Sequence, residues 1–390
     1  MENKKIDSSY VCPICGCKDP RFFGVKSGRT YCRRCISFRG EEANNDQAYP
    51  KRAPIYIDYE LSEDQKRLSN QLVENCKQGV NSLVHAVCGS GKTEIVLEVI
   101  KYVINCGEKV GFAIPRKDVV IELSKRFKAI FKQNSVISLY GGHTSNKKGD
   151  LIILTTHQLF RYYHYFDLLI MDEIDAFPFK GNEILKAFFY RAIKNKFILM
   201  SATPSVEMVD AFKKDGFQLL ELYSRFHTYP LPVPRCYIKS TIVLFFLLVE
   251  LTSKYVKAHK PVMIFVPTIE YSENIYSLLS IFVKGGMPVH SKRKDREAII
   301  DGFMNGKYKY LVTTAVLERG VTVKNAQVIV FRADHNIYNQ YTLVQISGRV
   351  GRKKDAPTGE VIYLAKEETS DMSESIKEIK RANKNLQTLL

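Results

Sequence analysis

Three groups of residues have the types and spacing to do chemistry. Ala86-Val-Cys-Gly89-Ser90-Gly91-Lys92-Thr93 follows an apolar run, Ser82–Val87, and precedes a helical pattern from Glu94. A glycine-rich turn between a strand and a helix is the setting of a phosphate-binding loop. Gly89 and Gly91, with Ser90 between them, let backbone N–H groups turn inward around phosphates, and the helix that follows adds its positive N-terminus. Lys92 can reach the β- and γ-phosphates, and the Thr93 hydroxyl can ligate Mg²⁺. ATP with Mg²⁺ is the ligand this predicts. Ala86 stands where the pattern has its first glycine, and a turn that binds no nucleotide is the plain alternative. Leu168-Leu-Ile-Met171 reads as a buried strand, and Asp172-Glu173-Ile174-Asp175 follows it. Asp172 suits the Mg²⁺ ligand and Glu173 the group that orients the attacking water. Alone, such an acidic turn would be a solvated loop.

The second group is Cys12-Pro-Ile-Cys15 and Cys32-Arg-Arg-Cys35, two C-x2-C pairs with 16 residues between them. This spacing predicts Zn²⁺ held by Cys12, Cys15, Cys32 and Cys35, a closed and therefore structural site. Cys17 could stand in for Cys15, and four free thiols are the plain alternative. Lys18, Arg21, Arg29, Arg33 and Arg34 offset the excess negative charge of four thiolates. With Phe22 and Tyr31 they make DNA one candidate partner of this segment and a protein the other.

The third group lies further on. Ser201-Ala-Thr203-Pro204 follows an apolar strand, Phe197–Met200; its hydroxyls could couple the phosphate site to a second ligand, or simply cap a helix. Gln345-Ile-Ser-Gly348-Arg349-Val-Gly351-Arg352 places two arginines three apart on one helical face. They could supply positive charge to a γ-phosphate, or form a basic helix face on DNA.

The elements that must position these groups read as alternating strands and helices. Short apolar strands at Ser82–Val87, Val110–Ile114, Leu151–Leu154, Leu168–Met171 and Phe197–Met200 alternate with helical segments. After a Pro-rich extended linker, Tyr229–Arg235, the alternation resumes at Val262–Val266, Tyr310–Thr313, Val328–Phe331 and Val361–Leu364. The pattern predicts an α/β chain with parallel sheets covered by helices on both faces. The expected division is a zinc-binding module at 1–52, α/β domains at 53–230 and 231–365, and a helical tail at 366–390.

Composition narrows the class. The 390 residues are 45% hydrophobic and 25% charged, which excludes a disordered or collagen-like chain. A net charge of +17, spread over all parts, suits a partner with phosphates or an anionic membrane surface. The longest apolar run, Ile242–Val249, is too short to span a membrane, which takes about 20 residues, and reads as a buried helix. The polar start lacks a signal-peptide core, and the nine cysteines do not form a disulfide framework. These features point to a reducing cytoplasm.

The order of these motifs resembles the superfamily 2 helicases and translocases over about residues 55–365. In that resemblance Gln65 is the adenine-reading glutamine, Ala86–Thr93 motif I, Phe112–Lys117 motif Ia and Thr155–Gln158 motif Ib or Ic. Asp172–Asp175 resembles motif II, Ser201–Thr203 motif III, Phe265–Thr268 motif IV, Thr313–Thr322 motif V and Gln345–Arg352 motif VI. It implies two RecA-like domains in tandem with ATP between them. Lys92, Asp172, Glu173, Gln345, Arg349 and Arg352 would be catalytic, and Ser201 and Thr203 coupling. Single-stranded DNA would run over both sheets on backbone contacts, at Pro115, Arg116, Gly141, Gly142, Thr156 and His157 and at Thr268, Thr314 and Gly320. His157 could equally be a packing residue, and the aromatic run Tyr162–Phe166 could stack bases or fill a core. Lys292–Lys294 and Lys353-Lys354 read as solvated faces.

Within the superfamily, the N-terminal cysteine module, Asp172-Glu-Ile-Asp-Ala-Phe-Pro178 and Gln345–Arg352 together resemble the ComFA family of late competence proteins. That family implies a cytoplasmic, membrane-peripheral DNA-dependent ATPase of natural transformation. It would help draw the incoming strand through the ComEC membrane channel with other competence proteins. The replication-restart helicase PriA is a weaker match, because its zinc segment lies inside the helicase region. A DEAD-box RNA helicase would carry alanine where Ile174 stands. A nucleotide-switched adaptor with little turnover has no need of Glu173 and both arginines.

Overall fold

A computed structural model describes residues 10–26, 28–38, 40–44, 49–87, 89–174, 179, 181–223, 229–314, 323–353 and 355–389. Gly320 with the rest of 315–322, residues 175–178 of the acidic motif, Cys88 and Lys354 lie outside the described residues. The chain divides into two compact units at Leu222/Tyr223, the short loop Val87–Gly91 being grouped with the second.

The cysteine segment forms an antiparallel ribbon of β1 (Phe23–Lys26) and β2 (Arg29–Cys32). The first unit is built on a seven-stranded sheet. Its strands are β3 (Ser82–Ala86), β4 (Val110–Ile114), β5 (Val136–Leu139), β6 (Leu151–Thr155), β7 (Phe166–Met171), β8 (Ile193–Ser201) and β9 (Gln218–Leu222). They lie in the order β5-β6-β4-β7-β8-β3-β9, every pairing parallel. Strands β3, β4, β6 and β7 are buried at every position. A strand buried on both faces needs apolar residues throughout, which is why these segments read as continuous runs. The connecting helices are α1 (Glu63–Lys77), α2 (Lys92–Ile95), α3 (Leu97–Asn105), α4 (Lys117–Ile130), α5 (Glu183–Ala192) and α6 (Val206–Lys214).

The cysteine segment is part of this unit's core. Phe23 and the cysteines belong to one apolar cluster with Phe160, Tyr162, Leu169 and Phe188. Phe38 meets Phe188 edge-on at 4.9 Å and stacks on His157 at 6.0 Å. Arg191 Nε donates to the Pro13 carbonyl, and its Nη2 pairs with Glu42.

The second unit has a six-stranded parallel sheet of β10 (Arg235–Ile238), β11 (Val262–Phe265), β12 (Gly286–Val289), β13 (Tyr310–Thr313), β14 (Gln327–Phe331) and β15 (Val361–Ala365). The order is β10-β15-β14-β11-β13-β12. Its helices are α7 (Thr241–Lys257), α8 (Ile269–Phe282), α9 (Arg296–Met304), α10 (Gln340–Ser347) and α11 (Ser370–Leu389). Ile242–Val249 lies in α7, and the expectation of a buried helix is corrected. Leu244, Leu248, Leu251 and Tyr255 face the core, whereas Ile242, Val243 and Phe246 are exposed. The helix is apolar on more of its circumference than the sheet covers. The Pro-rich linker has no regular structure before β10, but it is tied down. Asn383 on α11 accepts from the Leu231 N–H and donates to its carbonyl, both at 2.8 Å.

Candidate nucleotide site and cysteine centre

In a parallel sheet, ligands bind beyond the carboxyl ends of the strands, near the point where strand order reverses. Strand β3 leads into the glycine loop, where Gly89 and Gly91 take φ +82° and +81°. Both are left-handed conformations that a side chain would resist, so these two positions need glycine. Strand β7 ends at Met171, immediately before Asp172, and β8, which lies between β7 and β3, ends at Ser201. The sheet therefore brings the lysine after the loop and the acidic turn to one edge. Lys92 Nζ stands 3.9 Å from Asp172 Oδ1.

Asp172 also fixes its neighbour. The Glu173 N–H donates to Asp172 Oδ1 at 2.8 Å, and the Ile174 N–H reaches the Met200 carbonyl. Glu173 has φ +58°, a left-handed conformation that costs a non-glycine residue of order 1–3 kcal/mol. Such strain persists only where the surroundings hold it, and here it sits on the carboxylate expected to orient water. Thr203 and Ser201 are linked, the Thr203 N–H donating to Ser201 Oγ at 3.0 Å.

Gln65 is buried and serves a local purpose. The Ser62 N–H donates to Gln65 Oε1, and the Gln65 N–H donates to Ser62 Oγ, a reciprocal cap on α1. Its side-chain oxygen is thus engaged with backbone. Sequence reading missed a second local device. Arg126 on α4 pairs with Glu94, the residue after Thr93, and with the Tyr59 hydroxyl at 3.2 Å. It braces the first turn of α2. No motif signals it, because the partners come from three distant segments.

In the second unit Gln345 and Arg349 are buried and Arg352 is half-buried. The expectation of two arginines on a helical face is corrected. Helix α10 stops at Ser347 with Gly348 as its cap; Arg349 lies in the turn beyond it and Arg352 just after that turn. Gly351 at φ +67° bends that turn, and Arg352 Nε donates to the Gly348 carbonyl at 3.0 Å.

The expected DNA contacts are unevenly placed. Gly141 and Gly142 are exposed in a tight turn after β5, with open space where a Cβ would lie. Arg116 and His157 are half-buried, and burial lowers the His157 pKa. Pro115 and Thr156 are buried, and the hydroxyl of Thr156 has no hydrogen-bond partner among the described residues. It does not reach the surface. Thr268 caps α8, its Oγ1 accepting from the Tyr271 N–H, and Thr314 is buried at the end of β13. Of the aromatic run, Tyr162, Tyr165 and Phe166 are core residues, while Tyr163 is exposed.

The cysteines converge. All four Sγ atoms lie within 4.8 Å of one another, with Cys12 and Cys35 at 3.6 Å and Cys15 and Cys32 at 3.7 Å. A tetrahedron with Zn–S bonds of about 2.3 Å puts its sulfurs about 3.8 Å apart. Cys17 lies outside this set, its Sγ directed at the Asp19 carbonyl. Burial pushes the Cys15 thiol up to about 12 and raises Cys35 as well, each also raised by Cys12 alongside. Four adjacent buried sulfurs hold their negative charge only when a cation neutralises it. The donor set therefore fits zinc.

Comparison with known proteins agrees with this geometry. Residues 245–354 match the family described as the helicase conserved C-terminal domain. Residues 58–206 match the type III restriction enzyme res subunit family. RecG bound to a three-way DNA junction shares the fold with a TM-score of 0.62 at 20% identity, over 85% of this chain and 47% of that one. S. cerevisiae Dbp5 bound to RNA and ADP BeF3 does so with a TM-score of 0.60 at 16% identity, over 83% and 92%. The two parallel-sheet domains are RecA-like, and the protein is a superfamily 2 helicase or translocase of the ATP-dependent kind. The competence protein ComFA of Bacillus subtilis (strain 168) is 34% identical over 96% of this chain and 86% of its own length. That of Streptococcus pneumoniae (strain ATCC BAA-255 / R6) is 33% identical over 98% and 92%. The chain belongs to the ComFA family. Among the described residues no helix is long and apolar enough to cross a membrane.

Proposed function

We propose that the chain is an ATP-driven motor that moves along single-stranded DNA and drives DNA uptake during natural transformation. The observation that carries this reading is the pairing of Lys92 with Asp172 beside the glycine loop, in a chain similar to two competence proteins over nearly its whole length. ATP supplies a phosphoanhydride whose hydrolysis releases free energy. Gly89, Ser90 and Gly91 would cradle its phosphates and Lys92 offset their charge. Thr93 and Asp172 would hold Mg²⁺, Glu173 would orient water, and Gln65 would border the adenine. Gln345, Arg349 and Arg352 would stabilise charge on the γ-phosphate. Ser201 and Thr203 would couple the site to DNA held at Arg116, Gly141, Gly142, His157, Thr268 and Gly320.

In this reading 1–52 is a zinc module, 53–230 and 231–365 are the motor domains, and 366–390 is a helical tail. The motor works on the cytoplasmic side of the membrane with the ComEC channel and other competence proteins. A second reading is a replication-restart or repair helicase. PriA of Rickettsia prowazekii is 29% identical, but over 50% of this chain. Displacement of streptavidin from biotinylated single strands, run beside unwinding of a forked duplex, separates the two. The uptake motor clears streptavidin from single strands without needing to open the fork. Unwinding without clearance favours the restart helicase.

A further inference from the structure

The cysteine ribbon has two unlike faces. Cross-strand partners share a face, so Gly24 with Tyr31 and Lys26 with Arg29 lie on one side, and Phe23 with Cys32 on the other. The Arg33 N–H donates to the Phe22 carbonyl at 2.7 Å, which adds Phe22 and Arg33 to the first side. The second side is inward: Phe23 is buried and Tyr10 meets it edge-on at 4.9 Å. The first side is open. Phe22, Lys26, Arg29 and Arg33 are exposed and Tyr31 half-buried.

Four features give this open face its chemistry. Between Asp19 and Glu41 the sequence has six lysines and arginines and no acidic residue. Lys26, Arg29 and Arg33 make no ion pair among the described residues. Tyr31 lies flat across the opposite strand, because a Cβ on Gly24 would come within 2.5 Å of its ring. Arg34 sits 5.7 Å from the centre of the Phe22 ring. Two rings set among unpaired cations form a platform for stacked bases flanked by phosphate contacts.

We propose that the outer face of the ribbon binds single-stranded DNA, with Phe22 and Tyr31 stacking bases and Lys26, Arg29 and Arg33 holding phosphates. This deepens the motor reading and rests on it. It also gives the zinc a purpose, since the metal fixes the ribbon that presents these side chains. Stacking favours a single strand over a duplex, whose bases are already stacked.

The test is binding of a fluorescent oligothymidine by the full zinc-loaded chain over a range of salt. Lys26→Ala/Arg29→Ala/Arg33→Ala should weaken binding and flatten the log–log salt slope by about 2, at roughly 0.7 for each phosphate left unneutralised. Phe22→Ala, at an exposed position where folding is not at stake, should weaken binding about fivefold. Zinc content of both variants is measured alongside. Unchanged affinity and slope in the variants, while the parent binds, would overturn the ribbon surface and leave the motor reading intact. Failure of the parent to bind oligothymidine at all would overturn both. Equal competition by duplex would overturn the stacking role.

Discussion

Lys92 Nζ and Asp172 Oδ1 stand 3.9 Å apart at the carboxyl edge of one sheet, their side chains 17% and 16% exposed. The separation exceeds a direct hydrogen bond of about 2.7–3.2 Å. The two opposite charges are held close without forming a direct hydrogen bond. Replacing Lys92 with alanine removes the cation that offsets both Asp172 and the incoming phosphates. Lys92→Ala should lower ATP turnover at least about 100-fold with an unchanged circular dichroism spectrum. Turnover near that of the parent would reject the assignment of the phosphate site.

Arg352 follows the turn after the end of α10, its Nε committed to the Gly348 carbonyl. That bond fixes the base of the guanidinium. Arg352→Ala should retain ATP binding and lose hydrolysis by about 10³-fold or more, the scale of an arginine finger. Nucleotide-binding fluorescence and a turnover assay on the same preparation distinguish this from loss of binding.

Removing one ligand from the cysteine set leaves three sulfurs and an open position. Cys32→Ser should drop bound zinc well below the one equivalent expected for the parent, as read by metal analysis. Cys17→Ser should keep the full equivalent, because its Sγ faces the Asp19 carbonyl. Loss of zinc from Cys17→Ser would contradict the ligand set.

His157 is half-buried against Phe38, and burial lowers its pKa below the ordinary value of 6.5. The unfolded chain therefore takes up a proton near pH 6.5 that the folded chain takes up only at lower pH. Stability is unaffected by this group well above 6.5 and falls as pH drops through that value. The difference in melting temperature between pH 7.5 and pH 5.5 should be smaller in His157→Gln than in the parent. An equal difference would show that the ring already sits in water.

Much of this site is legible in the chain because chemistry dictates residue type. Glycine is the residue that takes the left-handed conformations at 89 and 91 without strain, and two C-x2-C pairs are a spacing that zinc sites use. The central strands are equally plain: buried on both faces, Leu151–Thr155 and Phe166–Met171 must be apolar throughout. Within the two large sheets, the strands that sequence reading passes over are β5, β9, β10 and β12, and these are their four edges. An edge strand is covered on fewer sides, so Arg235–Ile238 carries a mostly exposed pattern that looks like linker. Its identity as a strand comes from pairing with β15, which no local pattern encodes. The same holds for the contact of Phe38 with Phe188 and for the brace of Arg126 on Glu94.

ATP hydrolysis by the purified, zinc-loaded chain, alone and with single-stranded DNA, duplex DNA or single-stranded RNA, tests the proposed motor most directly. Strong stimulation by single-stranded DNA alone is the predicted result. Equal or greater stimulation by RNA or by forked duplex would contradict it.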